Sequence, residues 1–169
     1  MLRSISQETR DAINTRKPCT VYLNGLIVDF DDVDIFKCDH QMIVNPVNTI
    51  GILGKGLAYA FTQHYPNECM QYKRMCSVGE LELGKNILVV RAANKKLICF
   101  APTKNHWKER SNPWLVVRTF ANIVDYTNKN NVESIATPAL GCGLGGMDWT
   151  KTWEMFLIEL LKADKEQRW

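Results

Sequence analysis

The chain has 169 residues, enough for one domain with a hydrophobic core, and its 46% hydrophobic and 23% charged content excludes a disordered or fibrous protein. No apolar run approaches the roughly 18 residues of a membrane-spanning helix, and the polar stretch from Met1 to Lys17 argues against a secretory signal, so a cytoplasmic protein with no membrane partner is expected. The net charge of +3 is compatible with an anionic ligand but does not by itself identify a nucleic-acid binder.

In chain order, residues 4–16 read as a short helix of poor apolar periodicity, started by Ser4 or Ser6. Val21–Leu23 and Leu26–Val28 flank Asn24-Gly25, the strongest short hairpin signal. Met42-Ile43-Val44 reads as a buried strand, with Pro46 expected to end it. After a glycine-rich stretch, Leu57, Ala60, Phe61 and His64 or Tyr65 recur at helical spacing until Pro66. Ile87–Val90 and Leu97–Ala101 are two more strands, joined by a polar turn at 94–96. Pro113 suits a first helical position, with Ser111 or Asn112 as cap and Trp114, Val117, Ala121 and Val124 along one face. A polar break at 128–131 precedes a strand at 135–137. A last amphipathic helix carries Trp153, Phe156, Leu157, Leu160 and Leu161. Alternating strands and helices argue for an α/β layered fold. Residues 1–20 read as an N-terminal extension and 21–169 as the core of one domain. Trp114, Trp149 and Trp153 are expected in the core, and the six cysteines, which include no Cys-x-x-Cys and no zinc spacing, are expected to be reduced buried thiols. No metal is implied.

Seven of the ten glycines fall in two loops, Gly51–Gly56 and Gly141–Gly146, each at a strand-to-helix junction. Such loops bring backbone amides and a helix N-terminus to an anion, and ligands of open α/β sheets bind outside the carboxyl ends of the strands. Two loops together could hold a diphosphate. Gly141-x-Gly143-x-x-Gly146 matches the dinucleotide fingerprint literally, but no second strand with its acidic residue follows. A P-loop fails because Gly56, not Ser or Thr, follows Lys55.

Val44-Asn45-Pro46-Val47-Asn48 and Val33-Asp34-Ile35-Phe36 resemble two segments of the macrodomain family. Residues 47–56, Pro102–Trp107 and Pro138–Trp149 are similar to its DNA ADP-ribosyl glycohydrolase (DarG-type) branch and to the related terminal ADP-ribose protein glycohydrolase. The resemblance spans about residues 26–162 and implies a three-layer α/β/α sandwich with a mixed central sheet. It implies that Asp34 and the Ile35 backbone meet adenine, and that Asn48 and also Asn45 face the distal ribose. Gly51, Gly54, Lys55 and Gly56, with Thr103 and with Leu140, Gly141, Cys142, Gly143, Leu144, Gly145 and Gly146, would surround the diphosphate and ribose. Lys104 matches the lysine to which the branch assigns catalysis.

Val33 departs from the usual glycine, and Gly145 stands where the protein-acting relative has an acidic residue, which weakens a lysine–aspartate mechanism. The strand that commonly follows the last helix, and the second domain of full-length antitoxins of the branch, have no counterpart in the sequence. No cofactor is implied beyond ADP-ribose as ligand and product. The partners implied are ADP-ribosylated DNA, single strands included, or ADP-ribosylated protein, met by a monomer.

The bond to be broken joins the anomeric carbon of the distal ribose to a base or a carboxylate oxygen, through an oxocarbenium-like transition state. Lys104 could attack that carbon as a neutral amine, or protonate or stabilise the leaving group as an ammonium. A nearby diphosphate favours the ammonium. Trp107 could stack on a nucleobase or serve as a rim aromatic, and His106 could shuttle protons or hold structure. Three functions follow from the resemblance: a hydrolase releasing ADP-ribose, from thymidine in DNA before other carriers; a non-catalytic reader of ADP-ribose; and an ADP-ribose 1″-phosphate phosphatase.

Overall fold

A computed structural model describes residues 2–167, with side chains described as far as Lys162. A 3-10 turn at Leu2–Ser4 leads into α1 (Gln7–Asn14). Ser6, rather than Ser4, is its N-cap, and its hydroxyl accepts from the Thr9 N–H at 3.1 Å. The hairpin β1 (Cys19–Leu23) and β2 (Leu26–Phe30) turns at Asn24-Gly25, both with positive φ (46° and 87°), as a two-residue turn requires.

The central sheet has the order β4 (Leu88–Arg91), β5 (Leu97–Lys104), β3 (Met42–Asn48), β6 (Ile135–Ala136). β3 runs parallel to β5 and β6, while β4 is antiparallel to β5, so the sheet is mixed. On one face, Met42, Val44, Cys99 and Ala101 meet α4 (Pro113–Lys129) and α5 (Trp149–Gln167) through Val116, Phe120, Ile123 and Phe156. On the other, Ile43, Val47, Ile98 and Phe100 meet α2 (Gly56–His64) and α3 (Pro66–Ser77) through Phe61, Cys69 and Tyr72. Every residue of β5 is buried because helices cover both faces of its strand. The result is a three-layer α/β/α sandwich. Ile13, Val21, Leu23, Trp153 and Leu157 form a third cluster that joins the N-terminal helix and hairpin to α5.

Several expectations need correction. Pro46 does not end its strand: it pairs with Ala101, and β3 continues to Asn48. β6 flanks only Met42 and Ile43, so Pro46 lies where β3 has a strand on one side alone, and its missing N–H breaks no second ladder. Pro66 follows the end of α2 but also opens α3, at the first helical position where its missing N–H costs nothing. Trp114 is not core: it is 73% exposed, because the buried stripe of α4 runs through Val116, Val117, Phe120, Ile123, Val124 and Thr127. Trp153 is buried and Trp149 half-buried. Of the six free cysteines only Cys69 and Cys99 are buried; the other four are half-buried. Burial pushes the Cys69 thiol up to about 11 and that of Cys99 higher still, so neither offers a thiolate near neutral pH.

Candidate functional site

The cleft forms where β3 and β5 end side by side. Asn48 is paired with Lys104, and the register slips there, since Val47 faces Pro102 and Thr103 is the extra residue. A bulge of this type re-aims the side chain that follows it. Thr103 is itself buried in the bulge, and the Thr119 hydroxyl of α4 donates to the neighbouring Pro102 carbonyl at 2.8 Å.

Loop 51–56 is shaped by Asn48. Its side-chain oxygen accepts from the N–H groups of Ile50 and Ile52, both at 3.2 Å, and its amide donates to the Ile52 carbonyl at 2.8 Å. The Tyr72 hydroxyl, on α3, donates to the Asn48 backbone carbonyl at 2.7 Å and lies 3.0 Å from its side-chain oxygen. Burial, with the Cys76 thiol beside it, drives the Tyr72 hydroxyl well above its ordinary value, so it stays a donor. Asn48 thus holds the loop with its side-chain oxygen and one of its two amide N–H groups. Asn45 is fully enclosed, and neither atom of its amide has a partner among the described residues. The loop leaves Gly54, Lys55 and Gly56 exposed at the start of α2, whose first turn carries no side-chain cap. Uncapped amides at a helix N-terminus suit an anion.

Loop 141–146 is shaped by neighbours. Within it, Met147 N–H donates to the Gly141 carbonyl at 2.9 Å, and Gly146 N–H to that of Gly143 at 3.1 Å. From outside, Ser111 N–H donates to the Gly145 carbonyl at 2.8 Å, and the Arg110 guanidinium to the Gly146 carbonyl at 3.0 Å. Gly145 is pressed so closely on Ser111 that a Cβ there would overlap the Ser111 hydroxyl and lie 2.6 Å from the Gly141 carbonyl oxygen. An acidic side chain at 145 has no room in this arrangement, so Lys104 has no carboxylate partner from that position. Cys142 is half-buried, its thiol 3.5 Å from the Thr152 hydroxyl. Leu140 is buried, whereas Gly143 and Leu144 are exposed.

The two loops meet: a Cβ on Gly56 would lie 3.9 Å from the Leu144 side chain. Beyond them, Asp31, Asp32, Val33, Asp34, Ile35, Phe36, Leu57 and residues Ala136–Pro138 line a cavity of about 350 Å³. One Asp34 oxygen accepts from the Phe36 N–H at 2.9 Å and fixes the turn. The other faces Lys37 at 3.9 Å. Phe36 is stacked on His64, ring centroids 3.9 Å apart, which holds this turn against α2. Three carboxylates on an apolar cavity suit a neutral ring carrying an amino donor, not a phosphate.

Lys104 is 9% exposed, and its Nζ donates to the Trp107 carbonyl at 2.9 Å. Its segment is tied to both loops. Thr49 N–H donates to the Asn105 carbonyl at 3.2 Å on one side, and Ser111 and Arg110 bind loop 141–146 on the other. His106 is half-buried, and its Nδ1 accepts from the Lys108 N–H at 3.1 Å. Its ring lies 5.5 Å from that of Trp107, which is 45% exposed with the Lys108 ammonium 5.0 Å from its ring. Among the described residues no cluster of three His, Cys, Asp or Glu side chains could hold a metal ion.

Tyr72, Ser111, Arg110 and Leu57 were not singled out as site residues from the sequence. In the sequence Ser111 stands out only as a possible helix cap and Leu57 only as a helix-face residue, while Tyr72 and Arg110 carry no local signal.

A macro domain family model matches residues 44–156. A Mycobacterium tuberculosis protein named DNA ADP-ribosyl glycohydrolase is 32% identical over 126 residues, which cover 73% of this chain and 36% of that protein. The chain thus spans about a third of the length of that curated relative. The structure of the macrodomain of Mycobacterium tuberculosis DarG is 31% identical, with TM-score 0.71 over 80% of this chain and 88% of that one. Thermosipho africanus DarTG in complex with ADP-ribose is 28% identical, with TM-score 0.75 over 87% of this chain and 42% of that one.

Proposed function

The chain belongs to the macro domain family, and on that premise we propose that it binds ADP-ribose along this cleft and hydrolyses the bond joining the distal ribose to a base of DNA. Adenine occupies the Asp34 cavity, the diphosphate lies between the amides of the two glycine loops, and the distal ribose reaches the end of β3 and β5. Asp34 and the Ile35 backbone read the adenine edge. Gly54, Lys55, Gly56 and residues Cys142–Gly146 offer amides and one cation to the diphosphate. Lys104 stands at the reacting end.

The observation that carries this reading is the double attachment of the Lys104 segment, through Asn105 to Thr49 at the entry to loop 51–56 and through Ser111 to loop 141–146. Fixing the diphosphate on rigid amides also fixes the anomeric carbon, and positioning of that type lowers a barrier by several kcal/mol. In the reaction the glycosidic bond breaks, water adds its hydroxyl to the anomeric carbon, and the leaving group gains a proton. Lys104 acts as the ammonium that stabilises or protonates that leaving group. Its bond to the Trp107 carbonyl fixes where that nitrogen sits. Trp107 stacks on the released base, and His106 braces the turn. The substrate class follows the names of the relatives.

Lys104→Ala is expected to lose at least a hundredfold of the rate of ADP-ribose release from an ADP-ribosylated oligonucleotide, with ADP-ribose affinity by calorimetry within about twofold of wild type. Release undiminished in that variant removes Lys104 from the mechanism. Binding without release by the wild-type protein marks a reader, and phosphate release from ADP-ribose 1″-phosphate marks a phosphatase.

A further inference from the structure

Two large aromatic rings are left in water within eight residues of each other, Trp107 and Trp114. They stand on either side of the stretch that is tied to loop 141–146, and Trp114 begins α4 behind the Asn112 cap, whose side chain accepts from the Trp114 N–H at 3.0 Å. A tryptophan 73% exposed on a monomeric surface is uncommon, and such rings concentrate at binding surfaces.

Between them the chain carries Lys108 and Arg110 against one carboxylate, Glu109, which lies 3.3 Å from the Asn105 N–H. The stretch also borders a second cavity of about 400 Å³, which it enters at Asn105 and leaves at Leu115. Thr49, Gly79 and residues Leu81–Leu83 complete its walls. The acidic group there, Glu82, is paired with Lys85 at 2.7 Å. Asn105 directly follows Lys104, so along the chain this surface is continuous with the reacting end of the cleft.

We propose that the surface from Trp107 to Trp114 binds the single-stranded DNA that flanks the modified nucleotide, with Trp114 as a stacking platform for a neighbouring base and Lys108 meeting the backbone. Exposed aromatics interleaved with cations are what a single strand requires, because every base has a π-face and every linkage a charge. A duplex offers no free face to Trp114. The inference rests on the reading of the leaving group as a nucleobase, and assigns to Trp114 the length dependence of the substrate.

The test uses the full chain and a labelled, unmodified single-stranded deoxyoligonucleotide of about twelve nucleotides, followed by anisotropy, beside the ADP-ribosylated form of the same strand. Trp114→Ala is expected to weaken binding of the unmodified strand about tenfold and to raise KM for the modified strand by a similar factor. kcat and ADP-ribose affinity stay unchanged. Trp114→Phe recovers most of the loss, binding falls with added salt, and an ADP-ribosylated mononucleoside shows no difference between variants. Equal affinity and KM in wild type and Trp114→Ala overturn the proposal, as does failure of the wild-type protein to bind the strand. Strand binding that depends on Trp114 with no release from modified DNA supports the surface and sinks the proposed reaction. Release indifferent to Trp114 sinks the surface alone.

Discussion

The two glycine loops reach one cleft by opposite routes. Loop 51–56 hangs from a single strand-end side chain: Asn48 grips the backbone at Ile50 and Ile52, and Tyr72 grips Asn48. Loop 141–146 has two backbone bonds of its own but no side-chain anchor of that kind, and it is held from outside by the segment laid against it, through Ser111, Arg110 and the close approach at Gly145. The first loop is held by a side chain three residues before it in sequence, the second by residues more than thirty positions away. Their failure modes should therefore differ. Damage to the first should cost stability and diphosphate binding together, and damage to the second should misplace Lys104, because the same segment carries both.

The sharpest way to break this contrast is Asn48→Ala. It strips three hydrogen bonds from the backbone at Ile50 and Ile52 and removes the side-chain oxygen beside the Tyr72 hydroxyl, which keeps its bond to the carbonyl of residue 48. The expected loss is about 3 kcal/mol in denaturant unfolding, with ADP-ribose binding lost in calorimetry. Unchanged stability would mean that the loop holds itself. Gly145→Ala comes next. Its methyl must displace Ser111 or the Gly141 carbonyl, at about 2 kcal/mol of stability. Turnover should fall by about a hundredfold, as sub-ångström or larger misplacement of a reacting group does, while ADP-ribose affinity falls far less. Equal losses in affinity and turnover would erase the distinction between the loops.

Tyr72→Phe is the mildest. It removes one buried donor from Asn48, for about 1 kcal/mol. Because the Tyr72 hydroxyl is held above its ordinary value of 10 by burial, its contribution is complete below that pH and declines as pH rises past it. The stability gap between wild type and Tyr72→Phe should thus narrow above pH 10, and a gap that widens there would contradict the buried-donor role.

The back of the molecule shows a third arrangement. There the Trp149 indole donates to the Ile13 carbonyl and the Trp153 indole to the Asn14 side chain, both at 2.8 Å, while Arg10 pairs with Glu154. These bonds tie the N-terminal helix to α5. Read from the sequence, that helix is an extension of weak periodicity, since one apolar residue, Ile13, carries its buried contact. Its place depends on polar bonds from two tryptophans, and no local pattern announces those.

What the residues alone determine here are features of short range. Asn24-Gly25 specifies a hairpin because both residues tolerate positive φ, Asn112-Pro113 starts α4 because one caps and the other needs no N–H, and the glycine loops stand out because flexible backbone is concentrated at two strand ends. Tertiary structure decided the rest. Pro46 stays in its strand because β6 is too short to reach it, Trp114 faces water because the stripe of α4 is set by what it packs on, and Gly145 must be glycine because Ser111 lies against it. Each of those outcomes depends on which distant atoms occupy the neighbouring space, a quantity that propensity and spacing along the chain do not contain.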